Sequence, residues 1–305
     1  MPDDAEVDTR RLLYLVELAR LGSMRAVADR LHTSTSSVSQ QIATLAREAG
    51  APLVEPDGRR VRLTPAGRRL AEHAQEILAA VDAARHDLDP HGEPAGTVRV
   101  AGFATAVRRS LMPVVAAFAD EHPHVRLTIR EHEPTEALGL LADDAVDLAL
   151  VYDYDLAPAA IPVPAVALTE APLWEARWGL GVPDDDRARA VADAAGPAAA
   201  VVGAYAGADW IGNSRNRADE DVVRLLASTA GFGPRMTHEA DSLDLVEDLV
   251  VGGLGVGLLP VERALRAGVR LLELRDPQVR LRCRWVARRG RTSWPPLALV
   301  LGVLR

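Results

Sequence analysis

Apolar residues recur at helical spacing from the start of the chain. Leu12, Leu15, Val16 and Ala19 predict a helix that Asp8 or Thr9 caps and Gly22 ends. Ser23 then caps a second helix carrying Ala26, Val27 and Leu31. After only His32 and Thr33, Ser34 is the N-cap of a third helix bearing Val38, Ile42 and Leu45. Two short helices joined by so tight a turn make a helix-turn-helix. At about 100° per residue, Val38, Ile42 and Leu45 share one narrow sector of the third helix. Ser36, Gln40 and Arg47 then point away from it, with Ser37, Ser39 and Thr44 on the flanks. A merely solvated helix more often carries Glu and Lys there. Hydrogen-bonding groups at the start of a helix, with a cation at its end, suit the reading of base edges in a major groove. The candidate DNA-contacting residues are therefore Ser34, Thr35, Ser36, Ser37, Ser39, Gln40, Thr44 and Arg47, with Ser36, Ser37 and Gln40 foremost.

Two short strand-like runs follow in 53–64, separated by the turn signal Asp57-Gly58. A hairpin directly after a helix-turn-helix is a wing, and Arg59 and Arg60 at its tip would reach a phosphate or the minor groove. Thr64-Pro65 opens a long helix, Thr as N-cap and Pro at the first helical position. Along it Leu70, Ala74, Ile77, Val81, Ala84 and Leu88 alternate four- and three-residue steps. That heptad seam predicts dimerisation through this helix, the alternative being packing against its own chain.

The pattern changes after 91–96, which reads as a linker. Strands are expected at 98–103, 125–131 and 147–151, with helices at 106–120 and 134–141 between them. This βαβαβ order predicts a parallel sheet covered by helices. A second such unit is expected from about 173 to 260, and more strands from Val269 onward.

Composition alters this picture little. The net charge is −8, yet residues 59–69 hold five Arg and no acid, in keeping with phosphate contact by the wing. All 35 basic residues are Arg, a bias that points to genome composition rather than function. No uninterrupted apolar run is long enough to span a membrane, and the acidic start does not resemble an export signal, so the chain is expected to be cytoplasmic. The single cysteine, Cys283, sits among alternating apolar and charged residues and reads as a buried thiol on a strand. No His-x-x-x-His pair, nucleophile elbow or phosphate-binding loop is present, and Pro123 makes His122-Pro123-His124 a helix end and turn, so catalysis, a metal and a cofactor are not expected.

Several segments in order resemble one family. Gly22-Ser23, Ala26-Val27-Ala28-Asp29-Arg30-Leu31, Ser34, Val38-Ser39, Gln41-Ile42 and Leu45 resemble the helix-turn-helix of LysR-type transcriptional regulators. Gly50-Ala51-Pro52-Leu53 and Leu63-Thr64-Pro65-Ala66-Gly67 are similar to that family's wing and linker-helix entry. Gly96-Thr97-Val98-Arg99-Val100, Phe118-Ala119-Asp120-Glu121-His122-Pro123 and Asp147-Leu148-Ala149-Leu150 look like the first lobe of its effector domain. Gly231-Phe232-Gly233-Pro234 and the segment from Gly252 to Pro260 look like the second. Departures fall at Val54, where Phe is usual, at Pro56, and at Gln40, where Arg is frequent.

The resemblance implies a winged helix-turn-helix over 1–64, a linker helix over 65–90 and a two-lobed, periplasmic-binding-protein-like effector domain over 97–305. Its first lobe would take about 97–167 and 269–305, its second about 168–268. It implies a homodimer or homotetramer on double-stranded DNA, a small-molecule effector in the cleft, and contact with RNA polymerase. In open α/β sheets ligands sit beyond the carboxyl ends of strands. This makes Ala104, Thr105, Thr135, Tyr152, Asn213, Ser214 and Asp241 the candidate effector contacts, helix capping being the ordinary alternative for the polar ones. Arg108, Arg109, Tyr154 and Trp210 are secondary candidates, and Tyr152-Asp153-Tyr154-Asp155 reads either as cleft or as surface loop. The rival readings are a winged-helix regulator whose second domain only assembles, and a small-molecule-binding protein with no DNA role.

Overall fold

The computed structural model describes residues 8–57, 60–88, 93–158 and 167–304, without the side chains of residues 60, 82, 83 and 86–88. Helix α1 (Thr9–Leu21) starts where the Asp8 carboxylate accepts the Arg10 N–H, and stops at Gly22, which is left-handed at φ 63°. Helix α2 (Met24–Arg30) is capped by Ser23, and α3 (Thr35–Glu48) by Ser34, whose hydroxyl accepts the Ser37 N–H at 3.1 Å. Leu12, Leu15, Leu18, Val27, Val38, Ile42 and Leu45 interlock as the core of this domain. Ala19, expected on the buried face of α1, is exposed, and Leu18, three residues after Leu15 on the same helical face, is buried in the core instead.

Strands β1 (Val54–Asp57) and β2 (Arg60–Leu63) pair antiparallel, Val54 opposite Leu63 and Asp57 opposite Arg60, as a wing requires. Helix α4 (Pro65–Leu88) begins where the Thr64 hydroxyl donates to the Pro52 carbonyl at 2.7 Å and accepts the Gly67 N–H at 2.9 Å. A Cβ on Gly67 would overlap the Leu53 carbonyl, so only glycine lets α4 leave the wing this closely.

Beyond α4 the described residues build one continuous nine-stranded sheet. In chain order its elements are β3 (Gly96–Gly102), α5 (Ala104–Ala106), α6 (Met112–Glu121), β4 (Val125–Glu131), α7 (Pro134–Ala142) and β5 (Leu148–Tyr154). A π turn, Val107–Leu111, joins α5 to α6. Then come β6 (Leu168–Pro183), α8 (Asp186–Ala194), α9 (Ala198–Gly203), β7 (Asp209–Gly212), α10 (Ala218–Thr229), β8 (Arg235–Glu239) and α11 (Leu243–Val251). The chain closes with β9 (Val256–Pro260), β10 (Val269–Glu273), β11 (Val279–Arg288) and α12 (Pro295–Val303).

The strand order β4-β3-β5-β11-β6-β9-β7-β8 folds into two lobes. In the first, β4, β3 and β5 are parallel, the βαβαβ unit expected; in the second, β8, β7 and β9 are parallel. The 16-residue β6 belongs to both, pairing with β11 over its first part and with β9 and β10 over its second. Because β10 pairs with residues 179–183 of β6, it sits in the second lobe, not in the first as the boundary at 269 assumed. The run expected to end in strands instead ends in α12. Pro295 and Pro296 occupy its first turn, and Leu297, Val300 and Leu304 bury one helical face. Among the described residues no helix is long and apolar enough to cross a membrane.

Candidate functional site

The exposed face of α3 is the first candidate surface. Val38, Ile42 and Leu45 are fully buried, which turns Ser36, Ser39, Gln40 and Arg47 outward and leaves Ser37 and Thr44 half-buried on the flanks. Ser34 and Thr35 are exposed at its start, with the Ser34 and Ser36 hydroxyls 2.8 Å apart. Arg47 is steadied by a 2.9 Å hydrogen bond to Thr44, while Glu48 is held on the inner side by Arg11. The outward face is thus free of acids. Arg59 and the Arg60 side chain lie outside the described residues.

The α4 seam divides. Ala74 is wholly buried in the core of its own helix-turn-helix domain and has no surface to offer a partner. Leu70 packs beside it, whereas Ile77 and Ala84 are exposed and Val81 half-buried; the Leu88 side chain lies outside the described residues. The middle of α4 also meets the first lobe. Gln75 donates to Asp144 at 3.2 Å, and the turn at Gly290 lies so close to Glu76 that a Cβ would overlap it.

Between the lobes lies a cavity of about 610 Å³. Ala104, Thr105, Tyr152, Asn213 and Asp241 line it, as expected from the strand ends. Thr135 and Ser214 do not. Glu133 and Glu136 make the capping box of α7 and leave Thr135 exposed on its first turn, while Ser214 donates to Asp241 at 3.0 Å. Trp210 is buried within the second lobe beside Phe232, away from the cavity. Tyr152-Asp153-Tyr154 is a fully buried strand, not a surface loop.

Several lining residues escaped sequence reading. Trp174 and Trp178 come from β6, Phe103 from the end of β3, Glu133 from the β4–α7 junction and Asp219 from α10. The only sequence signal for the tryptophans is their rarity in a chain that is 4% aromatic. Glu133 and Asp219 become visible only when Tyr152 and Tyr154 are brought to them. The Tyr152 hydroxyl donates to Glu133 at 3.0 Å, and Tyr154 donates to Asp219 at 2.8 Å.

The Tyr154–Asp219 contact crosses the cleft, and the loop before α10 adds others. Asn216, just before α10, donates to Glu133 at 2.5 Å and to the Tyr152 oxygen at 2.8 Å. Its neighbour Arg215 pairs with Glu136 of the first lobe and, at 3.3 Å, with Asp241 of the second. Asn213 orders this loop by accepting the Arg215 N–H at 2.8 Å. Burial pushes the Asp219 carboxyl up to about 6 against the opposing hydrogen bond from Tyr154. Glu133 is raised as well, chiefly by burial, with the Asp219 charge adding to it and Tyr152, Arg215 and Asn216 opposing. Burial, with these carboxylates beside them, raises Tyr152 and Tyr154 well above the usual phenol range, so both remain donors.

Comparison with known proteins agrees with this architecture. Residues 9–68 match the family described as bacterial regulatory helix-turn-helix protein, lysR family, and residues 91–305 match the LysR substrate binding domain. The transcriptional dual regulator GltC of Bacillus subtilis is 29% identical over 265 residues, 83% of this chain and 81% of that protein. A probable hydrogen peroxide-inducible genes activator of Mycobacterium avium is 29% identical over 264 residues, covering 85% and 80%. In fold, full-length OxyR from Pseudomonas aeruginosa superposes with a TM-score of 0.68 at 19% identity, over 98% of both chains. ArgP from Mycobacterium tuberculosis gives 0.64 at 19% identity, over 98% of this chain and 99% of that one. With a winged helix-turn-helix at one end, a two-lobed ligand-binding fold at the other and both family matches in register with them, the chain belongs to the LysR family of DNA-binding transcriptional regulators.

Proposed function

We propose that α3 reads an operator in the major groove, Gln40 and the serines before it meeting base edges, with the wing steadying the backbone. The observation that carries this is the outward, acid-free face of α3, which ends in Arg47. Two such helices enter successive grooves of one two-fold site when the chain forms a dimer, or a tetramer of two dimers, in the cytoplasm. The stretch of α4 with Ile77 and Ala84 exposed and Val81 half-buried supplies the dimer contact. A small-molecule effector occupies the cleft, and its contacts with both lobes change the arrangement of the paired DNA-binding domains, and with it contact to RNA polymerase. Such coupling requires different affinity for the two arrangements.

The test is a footprint of the full chain on the DNA upstream of its own gene and the neighbouring divergent gene, at two salt concentrations. A protected, salt-sensitive site with two-fold symmetry is expected. Absence of any preferred site, there or in a genome-wide selection, overturns the DNA-reading assignment.

A further inference from the structure

The cleft is unequal in charge. Among the described residues six carboxylates line it, against three guanidiniums. Four of the six are exposed or already committed: Glu131 and Glu262 at the open rim, Asp241 to Arg215, and Asp244 to Arg263. Glu133 and Asp219 differ. Glu133 is 6% exposed, and the groups that donate to it, the Tyr152 hydroxyl, the Asn216 amide and the Glu136 N–H of its capping box, are neutral. Asp219 accepts from the neutral Tyr154 hydroxyl. Among the described residues no ion pair reaches either; Glu133 feels the charge of the nearby Arg215, but that guanidinium is engaged by Glu136 and Asp241. Glu133 is buried and Asp219 half-buried; a charge so withdrawn from water without a paired cation is costly, and two carboxylates that feel one another raise that cost. Arg108 and Arg109 stand on the exposed rim, and Arg109 lies over the Trp174 ring at 4.4 Å.

A second feature stands beside these acids. Phe103, Tyr152, Trp174 and Trp178 all line the cavity in a chain poor in aromatic residues. The rings are linked, Trp174 to Phe103 at 6.2 Å and Phe103 to Tyr152 at 4.6 Å, with the wholly buried Tyr154 behind them joining Tyr152 at 6.1 Å to Trp178 at 5.6 Å. Ring faces attract cations, and large apolar rings bury an organic body. A bare metal ion is less suited. Among the described residues no cluster of three or more metal-ligating side chains exists.

We propose that the effector of this cleft is a small organic cation whose ammonium or guanidinium head sits between Glu133 and Asp219 and whose body lies along the aromatic wall. The assignment rests on reading the cleft as the sensing site. The head supplies the counter-ion that the two lobes lack, one carboxylate from each, so it binds best when both lobes face it. This ties recognition of charge to the relative position of the lobes.

The experiment is calorimetric titration and thermal melting of the full chain with tyramine and agmatine, beside tyrosol and 4-hydroxyphenylacetate. The last two match tyramine in shape but end in a hydroxyl and a carboxylate. At least one cation is expected to bind and raise the melting midpoint, with the neutral and anionic compounds at least tenfold weaker. Glu133→Gln and Asp219→Asn should each weaken cation binding at least tenfold. The ligand-free variants should melt at the same temperature or higher, which a merely misfolded protein would not do. Cation binding indifferent to both substitutions overturns the proposal. Preference for 4-hydroxyphenylacetate overturns the cation class and leaves sensing intact. No response to any of the four compounds removes both.

Discussion

Asp147, buried, and Asp219, half-buried, show how one residue type serves opposite ends. Asp147 has no exposed side-chain surface. It accepts from the Arg99 backbone and guanidinium at 2.9, 3.0 and 2.8 Å, and Arg291 approaches at 3.3 Å. Burial alone would raise its carboxyl, but the Arg99 hydrogen bonds and the Arg291 and Arg99 charges outweigh it and hold the group below the usual range. Its stabilisation is present above the ordinary aspartate value of about 3.9 and is lost as pH falls through the lower, folded value. Asp147→Ala should cost roughly 3 kcal/mol in urea unfolding at neutral pH, because it takes the shared counter-ion from the half-buried Arg99 and Arg291 and the buried Arg288. A loss well under 1 kcal/mol would refute the network's importance. Asp219, raised to about 6, has the opposite sign. The fold tolerates its protonated form, so stability is full below the ordinary carboxylate value and declines as pH rises toward about 6. Asp219→Asn should therefore melt with the parent at pH 4 and above it at pH 7.5; equal midpoints at both values would contradict this. Cys283 is buried, its thiol pushed up to about 12 by burial, so iodoacetamide should label it only after unfolding.

At the scale of elements, periodicity and capping decide most of what forms. The Ser34 cap and the Val38, Ile42 and Leu45 face were legible as a helix with a defined inside, and the outward residues followed from that. Gln40→Ala should weaken operator binding by about 1–3 kcal/mol in fluorescence anisotropy while leaving non-specific binding nearly unchanged. Equal affinity of variant and parent for the operator would displace α3 as the reading element. Periodicity misled where several partners compete for one helix. The α4 seam at Leu70, Ala74, Ile77 and Val81 is regular, yet Ala74 is consumed by the helix-turn-helix core. Regular spacing says that a face is apolar; it does not say which surface covers it. Capping likewise misplaced Thr135, because Glu133 and Glu136 satisfy the start of α7 from either side of Pro134.

Over the whole molecule, β6 unites the two lobes, and the loop holding Asn213, Arg215 and Asn216 clasps them from the other side. One continuous core runs beneath both, from Val98 and Val100 through Leu180 to Trp210. The dimer assignment is tested at this scale. Ile77, 41% exposed on α4, is the apolar side chain that a partner helix would cover. Ile77→Asp should weaken self-association at least tenfold by sedimentation equilibrium without lowering the melting midpoint of the isolated chain. Unchanged association would move the contact away from α4.

The sequence alone determined the local architecture. Helix starts at Asp8, Ser23, Ser34 and Thr64, the wing, and the parallel unit of the first lobe all follow from short-range rules of capping, turn chemistry and side-chain period. It also placed Ala104, Thr105, Tyr152, Asn213 and Asp241 near a cleft, since strand ends in an open sheet converge on one edge. Tertiary structure alone decided that Glu133 and Asp219 share that cleft, that β6 carries Trp174 and Trp178 into it, and that Ala74 faces inward. Glu133 and Asp219 are brought together by a sheet that joins distant strands through β6. Local spacing cannot encode a meeting made by long-range pairing, and the charge of the cleft is the sum of such meetings.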